Sequence, residues 1–295
     1  GSAPKLIDLP TGNSSTKSSI ATSTFVAISP DGQYLACNYQ GGTVVRLSDG
    51  VILYQGWPSD VPRDMHWSTD SSKLFYRSDY RQSFEQIRVV DSSTWNYDLR
   101  NGFLDLIIAQ VWSGARYTVY RHSCAVSQDS VAISIGCAEK DPSQGGGFGE
   151  WREYLILYQL STGSVTSTRI VGNTSSMALQ KLIFNSSRSE VLSYSGVVSA
   201  FSSSDLSEKS LTPSIPSCAS ASLDSLGSEL VFLTESTQPY IRRFSASDYS
   251  AGLPLSISPL VDRPTLVSHS DDYYALALDS GGYALIDRTN DQLIT

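Results

Sequence analysis

The sequence predicts an all-β fold assembled from repeated four-stranded antiparallel units, and three observations carry that prediction. The first is a degenerate unit, [apolar]-[Ser/Asn/Asp]-x-[Asp/Ser]-x-x-x-[apolar], that recurs along the 295 residues and opens a run of alternating apolar residues. Its clearest copies are Ile28-Ser29-Pro30-Asp31-Gly32-Gln33-Tyr34-Leu35 and Trp67-Ser68-Thr69-Asp70-Ser71-Ser72-Lys73-Leu74. Further copies lie at Ser127-Gln128-Asp129, Asn185-Ser186-Ser187, Asp224-Ser225-Leu226 and Ser268-His269-Ser270. Counted from the Ser29 position, successive copies are 39, 59, 58, 39 and 44 residues apart. That is the period of a four-stranded propeller blade with two insertions. The second observation is that each repeat divides into four short apolar runs separated by turn residues. The third is that no helical periodicity longer than about three turns competes with the strand pattern.

In the first repeat, residues 23–28 run into the Pro-Asp-Gly turn and Tyr34 to Asn38 alternate. Gly41-Gly42 then turns into Val44 to Leu47, and Ser48-Asp49-Gly50 turns into Val51 to Tyr54. Gly, Asp and Ser suit those turns because they tolerate positive φ or bond their own backbone, while Val, Ile, Leu and Tyr suit a pleated, half-buried surface. The third strand and its turn recur as Ile87 to Ser93, Ile156 to Gly163, Tyr240 to Ser245 and Leu285 to Asn290. Six repeats are complete. Ahead of them, Lys5 to Gly12 copies the third strand and turn of a blade, as in Tyr158-Gln159-Leu160-Ser161-Thr162-Gly163. We therefore expect seven blades, with residues 5–20 as the outer part of one. Its inner strands would come from flanking sequence, from the 101–118 insertion or from a partner chain, because an open ring leaves a sheet edge unpaired. The alternative is a six-bladed ring with an N-terminal strand latched onto the last blade. Residues 5–295 are expected to form one domain, and residues 1–4, opening with Gly1-Ser2, a cloning remnant or disordered tail.

These repeats resemble the WD-repeat-like β-propeller superfamily over nearly the whole chain. Ser29-Pro30-Asp31-Gly32 is similar to that family's Ser-Pro-Asp-Gly turn, and Asp8, Asp91 and Asp287 fall where its Trp-Asp dipeptide would end the third strand. No repeat has the Trp-Asp dipeptide itself or the opening Gly-His pair. His66 with Trp67-Ser68-Thr69-Asp70 also resembles repeats of periplasmic and peptidase-associated propellers. The resemblance implies a scaffold that binds other proteins rather than an enzyme.

Composition narrows the function further. A net charge of -8 argues against a sequence-independent hold on nucleic acid, which needs clustered Lys and Arg. A basic peptide is the easier partner, although surplus acid also serves solubility. No apolar run approaches the roughly 20 residues of a membrane span. Cys37, Cys124, Cys137 and Cys218 lack metal-ligand spacing and read as small buried core residues, with a Cys124–Cys137 disulfide as the alternative. No signal peptide is visible, and the expectation is an intracellular protein of cytoplasm or nucleus, with a secreted one as the alternative. Sequons beginning at Asn13, Asn173 and Asn185 are no more than so much Ser and Thr gives by chance.

The two long spacings locate the expected partner-binding surface. One surplus falls at about 101–118, between the last strand of one blade and the first of the next; the other falls at 138–150, between a second and a third strand. In a propeller both loop classes emerge on one face, so a single site is expected. The first insertion supplies Trp112, Arg116 and Tyr117, and the second Phe148, Trp151 and Arg152. The preceding blade adds Arg77, Asp79, Tyr80 and Arg81 from its corresponding loop. Aromatic and Arg side chains dominate interface energetics. The competing reading has Trp112 and Trp151 as strand residues packed between blades.

Catalytic groupings are scarce, and no cofactor is expected. His66, His122 and His269 each lie near the end of a first strand, where capping of a neighbouring turn is the commoner role. Gly145-Gly146-Gly147-Phe148-Gly149 lacks the Lys-Ser/Thr of a phosphate-binding loop, and no Gly-x-Ser-x-Gly elbow exists. The expectation is a non-enzymatic interaction scaffold. The rivals are a lactonase or metal-hydrolase propeller using the central channel, and a lectin-like binder, which would need a polar or aromatic motif repeated in every blade; the sequence reading finds none.

Overall fold

A computed structural model describes residues 5–7, 14–16, 26–38, 41–56, 60–68, 70–80, 84–101, 117–140, 148–172, 181–195, 197–211, 215, 218–224, 227–234, 240–257, 264–269, 272–278 and 283–294. Among them Ser186–Arg188 forms a 3-10 turn, and no helix is long and apolar enough to cross a membrane. The strands divide between two compact units, residues 1–114 with 126–129 and residues 115–125 with 130–295.

The first unit opens with β1 (Lys5–Ile7) and β2 (Ser14–Thr16), an antiparallel pair on its own. Two four-stranded sheets follow: β3 (Val26–Ile28), β4 (Tyr34–Cys37), β5 (Thr43–Arg46) and β6 (Ile52–Gln55), then β7 (Asp60–Trp67), β8 (Lys73–Tyr80), β9 (Phe84–Asp91) and β10 (Tyr97–Asn101). The second unit holds four more: β11 (Tyr117–Val126) to β14 (Ser164–Gly172) through β12 (Ser130–Lys140) and β13 (Phe148–Gln159); β15 (Lys181–Asn185) to β18 (Glu208–Lys209) through β16 (Glu190–Ser195) and β17 (Val197–Ser202); β19 (Cys218–Leu223) to β22 (Leu255–Ser256) through β20 (Glu229–Thr234) and β21 (Tyr240–Ser245); and β23 (Pro264–His269) to β26 (Leu293–Ile294) through β24 (Tyr273–Leu278) and β25 (Tyr283–Asp287). Every four-stranded sheet is a meander in sequence order, as the repeat predicts.

The recurring motif is a turn device. In the turn between first and second strands, the Ser68 amide donates to the Lys73 carbonyl (2.8 Å) and the Lys73 amide donates back to Ser68 Oγ (2.9 Å). Ser68 Oγ then donates to Asp70 Oδ1 (2.6 Å), which also accepts the Ser72 amide. Ser29 and Asp31 repeat the arrangement, and in the Asp224 copy one carboxylate accepts both the Ser228 and Glu229 amides. At the Ser29, Ser68 and Asp224 copies the marker position therefore uses a short oxygen-bearing side chain to hold its turn, whereas Asn185 at the same position donates Nδ2 to the Ala246 carbonyl at 2.8 Å and to the Tyr249 hydroxyl at 3.1 Å of the next sheet.

The turn between third and fourth strands is equally regular. Its fifth residue donates to the carbonyl of its first in all six sheets: Gly50 to Arg46, Trp95 to Asp91, Gly163 to Gln159, Leu206 to Ser202, Tyr249 to Ser245 and Asp291 to Asp287. Each of those fifth residues has positive φ. Trp95, Leu206 and Tyr249 accept a left-handed backbone, at about 1 kcal/mol, because the turn aims their side chains inward; Leu206 and Tyr249 are buried. A third bond ties the two turns of a sheet together: Leu47 to Gln33, Ser92 to Ser72, Ser203 to Ser189, Ala246 to Ser228 and Arg288 to Asp272.

Packing runs from sheet to sheet within each unit. Along β20, Leu230, Val231, Phe232 and Leu233 are all fully buried, so the strand has no wet face. Leu230 and Phe232 belong to a cluster with Leu192, Tyr194 and Ala200 of the preceding sheet, while Val231 and Leu233 join Tyr274, Leu276 and Ile286 of the next. Alternate residues thus serve opposite neighbours, each burial contributing about 2 kcal/mol. In the first unit Ala36 and Val44 pack with Met65, Trp67, Leu74 and Val90, and Tyr34 stacks on Trp67 at 5.9 Å. Cys37, Cys124 and Cys218 are buried thiols outside any disulfide, so the Cys124–Cys137 bridge is not formed. Asn185 is fully buried inside its sequon, which closes that position to a glycan.

Two expectations need correction. Arg77, Asp79 and Tyr80, read as loop residues, lie in β8, paired with Ile87, Glu85 and Phe84 of β9. The 138–150 insertion is partly strand: β12 runs to Lys140 and β13 resumes at Phe148, with Lys140 opposite Phe148 and a register shift after Ala138. In both cases aromatic residues sit where the hairpin narrows, Tyr80 opposite Phe84 and Trp151 opposite Ala138, and such residues favour an extended ladder over a loop.

Candidate functional site

The two ends of these meanders differ. At one end the turns vary little: Ile28↔Leu35, Trp67↔Leu74 and Leu223↔Leu230 close first-to-second hairpins around six residues, and Asn185↔Glu190 and His269↔Tyr274 close theirs around four. Val45↔Ile52, Val90↔Tyr97, Phe201↔Glu208 and Ile286↔Leu293 close third-to-fourth hairpins around six residues, and Gln159↔Ser164 around four. At the other end the second-to-third hairpins close around one residue at Ser195↔Val197, three at Tyr80↔Phe84, five at Cys37↔Thr43 and seven at Lys140↔Phe148. Turns of four or six residues with repeated bonds cap one end, and the wider variation, from one to seven residues, lies at the opposite tips.

The candidate residues that are described lie toward that end of their sheets. Arg77, Asp79 and Tyr80 occupy the end of β8; Phe148, Trp151 and Arg152 occupy the start of β13, Arg152 half-buried opposite Cys137; and Tyr117 is the first residue of β11. Trp151 is accordingly a strand residue. Arg81, Trp112, Arg116, most of the 101–118 insertion and Gly145 to Gly147 lie outside the described residues, as do Asp8 and the sequons at Asn13 and Asn173. His66, His122 and His269 stand in the first strands β7, β11 and β23. Among the described residues no group of three or more His, Cys, Asp or Glu could hold a metal ion.

The structure also contains a polar grouping that the sequence reading missed. Glu190, opening β16, is buried and accepts Arg188 Nε at 3.2 Å on both carboxylate oxygens, with Lys209 Nζ at 3.9 Å. The Tyr249 hydroxyl of the next sheet donates to Glu190 and accepts from Asn185 Nδ2 at 3.1 Å, while the Arg188 guanidinium lies 4.6 Å over the Tyr249 ring. One sheet further on the arrangement recurs: Arg288 meets Glu229 at 2.8 Å, Tyr274 donates to Glu229 at 3.1 Å, and Arg288 lies 5.6 Å over the Tyr274 ring. The signal was present as Asn185-x4-Glu190 and Asp224-x4-Glu229. Each carboxylate spans two sheets, so the grouping fixes how consecutive sheets meet. Burial first, and then the Glu190 carboxylate, push the Tyr249 phenol above the ordinary tyrosine range, which keeps it a donor.

Carboxylates at the uniform end are tuned by their turns. Asp205, fully exposed, accepts the Ser207 amide at 3.0 Å and Ser207 Oγ at 2.8 Å, and these bonds pull its carboxyl down to about 2. The same pair of bonds, from the residue two places on, lowers Asp91, Asp248 and Asp287. A depressed carboxyl stabilises the fold above its unfolded value, about 3.9, and that contribution disappears as pH falls through the folded value. We expect stability to decline between about pH 4 and pH 2, with the Asp205 carboxyl titrating near the bottom of that window in a side-chain NMR titration. A midpoint near the ordinary value for Asp205 would show that its turn bonds do not persist in solution.

The sheets, their order and their turns make this chain a WD-repeat-like β-propeller fold. Among solved structures it is similar to the crystal structure of the RRP9 WD40 repeats, at 12% identity and a TM-score of 0.52, covering 92% of this chain and 78% of that one. It is similar likewise to the structure of U3-55K, at 12% identity and a TM-score of 0.52, covering 90% of this chain and 77% of that one. No protein-family model and no curated protein matches the chain.

Proposed function

We propose that this protein is a non-enzymatic scaffold that binds a protein or peptide partner through the hairpin tips and the 101–118 insertion. The observation that carries the reading is the contrast between turns that repeat the same backbone bonds at one end of each sheet and second-to-third hairpins of one to seven residues at the other. Recognition concentrates where a rigid framework lets loops vary. Tyr80, Arg81, Trp112, Phe148, Trp151 and Arg152 supply the aromatic and guanidinium groups that anchor interfaces, and the net charge of -8 favours a basic partner. The likeness to WD40-repeat structures supports the same reading, within which we take β1–β2 as the outer half of a seventh blade.

The test is affinity capture from native lysate, comparing the parent protein with a variant in which Tyr80, Arg81, Trp112 and Trp151 are all Ala, both shown to fold by circular dichroism. Partners held by the parent and lost by the variant are the expected result. Equal recovery from both would reject the tip surface.

A further inference from the structure

We propose that Arg242 is the binding site for a glutamate side chain presented by a protein ligand; the proposal deepens the reading of the variable end as the partner-binding end and rests on it. In the second unit three arginines that stack on an aromatic ring also hold a glutamate carboxylate. Arg188 lies over Tyr249 and binds Glu190, Arg288 lies over Tyr274 and binds Glu229, and Arg169 lies 5.5 Å over the Phe201 ring with Glu208 at 2.7 Å. Arg242 is a fourth such arginine, 5.5 Å over the Tyr240 ring. Its Nε donates to the Tyr240 hydroxyl at 3.3 Å, and among the described residues neither Nη group has a partner and no carboxylate reaches the guanidinium. The chain itself shows what completes this arrangement in the other three.

The setting holds that guanidinium in place. Tyr240 opens β21, where its amide donates to Thr234 Oγ1 and its carbonyl accepts from the same hydroxyl, both at 3.2 Å. Arg242 stands opposite Phe232 and on the same side of β21 as Phe244, and both phenylalanines belong to the cluster with Leu192 and Tyr194 of the preceding sheet. Alternation therefore puts Tyr240 and Arg242 along the seam between those two sheets, both half-buried, at the end where second-to-third hairpins vary. A guanidinium already oriented by a ring and a hydroxyl gives up less freedom on binding, and its two Nη groups match a carboxylate in a bidentate pair. The net charge of -8 disfavours a wholly acidic ligand, so the occupant is one glutamate within a neutral or basic protein surface.

The test titrates the 295-residue protein with N-acetylglutamate N-methylamide and follows the backbone amide shifts of residues 240–244 by NMR. We expect a saturable shift at about millimolar ligand, about tenfold weaker binding of the glutamine analogue, and about tenfold weaker binding to Arg242→Lys, which keeps the charge and loses the fork. No saturation, equal binding of the two analogues, or Arg242→Lys binding as well as the parent overturns the site. Tighter binding of inorganic phosphate, or of N-acetylalanine with its chain-terminal carboxylate, overturns the glutamate assignment. The readout at Arg242 does not involve Tyr80, Arg81, Trp112 or Trp151. A failed titration beside successful lysate capture therefore removes this site alone, whereas equal capture by parent and variant beside a saturable titration rejects the tip surface alone.

Discussion

Glu190→Ala is expected to destabilise the second unit by about 3–5 kcal/mol, lowering its melting temperature by about 6–20 °C. Glu190 is 1% exposed and is the shared acceptor of Arg188, Lys209 and the Tyr249 hydroxyl. Removing it strands a buried phenol and a guanidinium that was oriented by it, and the desolvation already incurred is no longer offset. Tyr249→Phe should cost less, about 1–2 kcal/mol, because the carboxylate keeps its two cationic partners. Because both changes break one bond, their effects should fall short of additivity in a double-mutant cycle. The recurrence one sheet on provides an internal comparison. Glu229 is 22% exposed, so water competes for it and Glu229→Ala should cost about 1 kcal/mol. Urea denaturation of the three variants decides the matter: equal and small losses for Glu190→Ala and Glu229→Ala would mean that the buried grouping does not hold the sheets together.

How much of this was legible beforehand follows from what kind of interaction each feature rests on. The turn markers, the four-strand division and the sheet order are local: Ser68 bonds Asp70 and Lys73, and such short-range chemistry is written in contiguous sequence. The extent of β8–β9 and β12–β13 was not legible, because charged and polar residues such as Arg77, Asp79 and Glu85 look like loop residues until their cross-strand partners are known. The Glu190 grouping was least legible, since Tyr249 lies 59 residues away and only the packing of consecutive sheets brings it to the carboxylate. Trp95, Leu206 and Tyr249 show the same limit at single positions. A bulky residue in a left-handed turn contradicts local preference, and only the burial it gains explains it. For the candidate surface, the residue types were readable, and the strand placement of Tyr80 and Trp151 corrects where on the tips they stand.

Gly56→Ala is the second change with a large expected effect, and it concerns the variable end of the first complete sheet. A Cβ at Gly56 would lie 2.0 Å from the Gly41 carbonyl oxygen, 2.9 Å from its carbon and 3.2 Å from the Tyr76 hydroxyl. The first two are backbone atoms, so no rotamer change relieves the contact. Gly56 also donates to the Gly42 carbonyl at 2.7 Å, which ties the chain leaving β6 to the β4–β5 tip. Beneath it the Tyr54 and Tyr76 hydroxyls meet at 2.7 Å in a buried pair. Separating the backbones enough to admit a methyl group breaks the Gly56–Gly42 bond and disturbs that pair, for a loss of about 3 kcal/mol. Gly50→Ala is the control: it meets nothing within 4 Å but sits at φ +77°, so it should cost only the left-handed penalty of about 1 kcal/mol. Thermal unfolding of the two variants separates close approach from backbone conformation. If Gly56→Ala proves no worse than Gly50→Ala, the tip is not clamped to the strand end. If it is clearly worse, main-chain contact holds this tip in place, and hairpin tips of differing length can present side chains in a fixed arrangement.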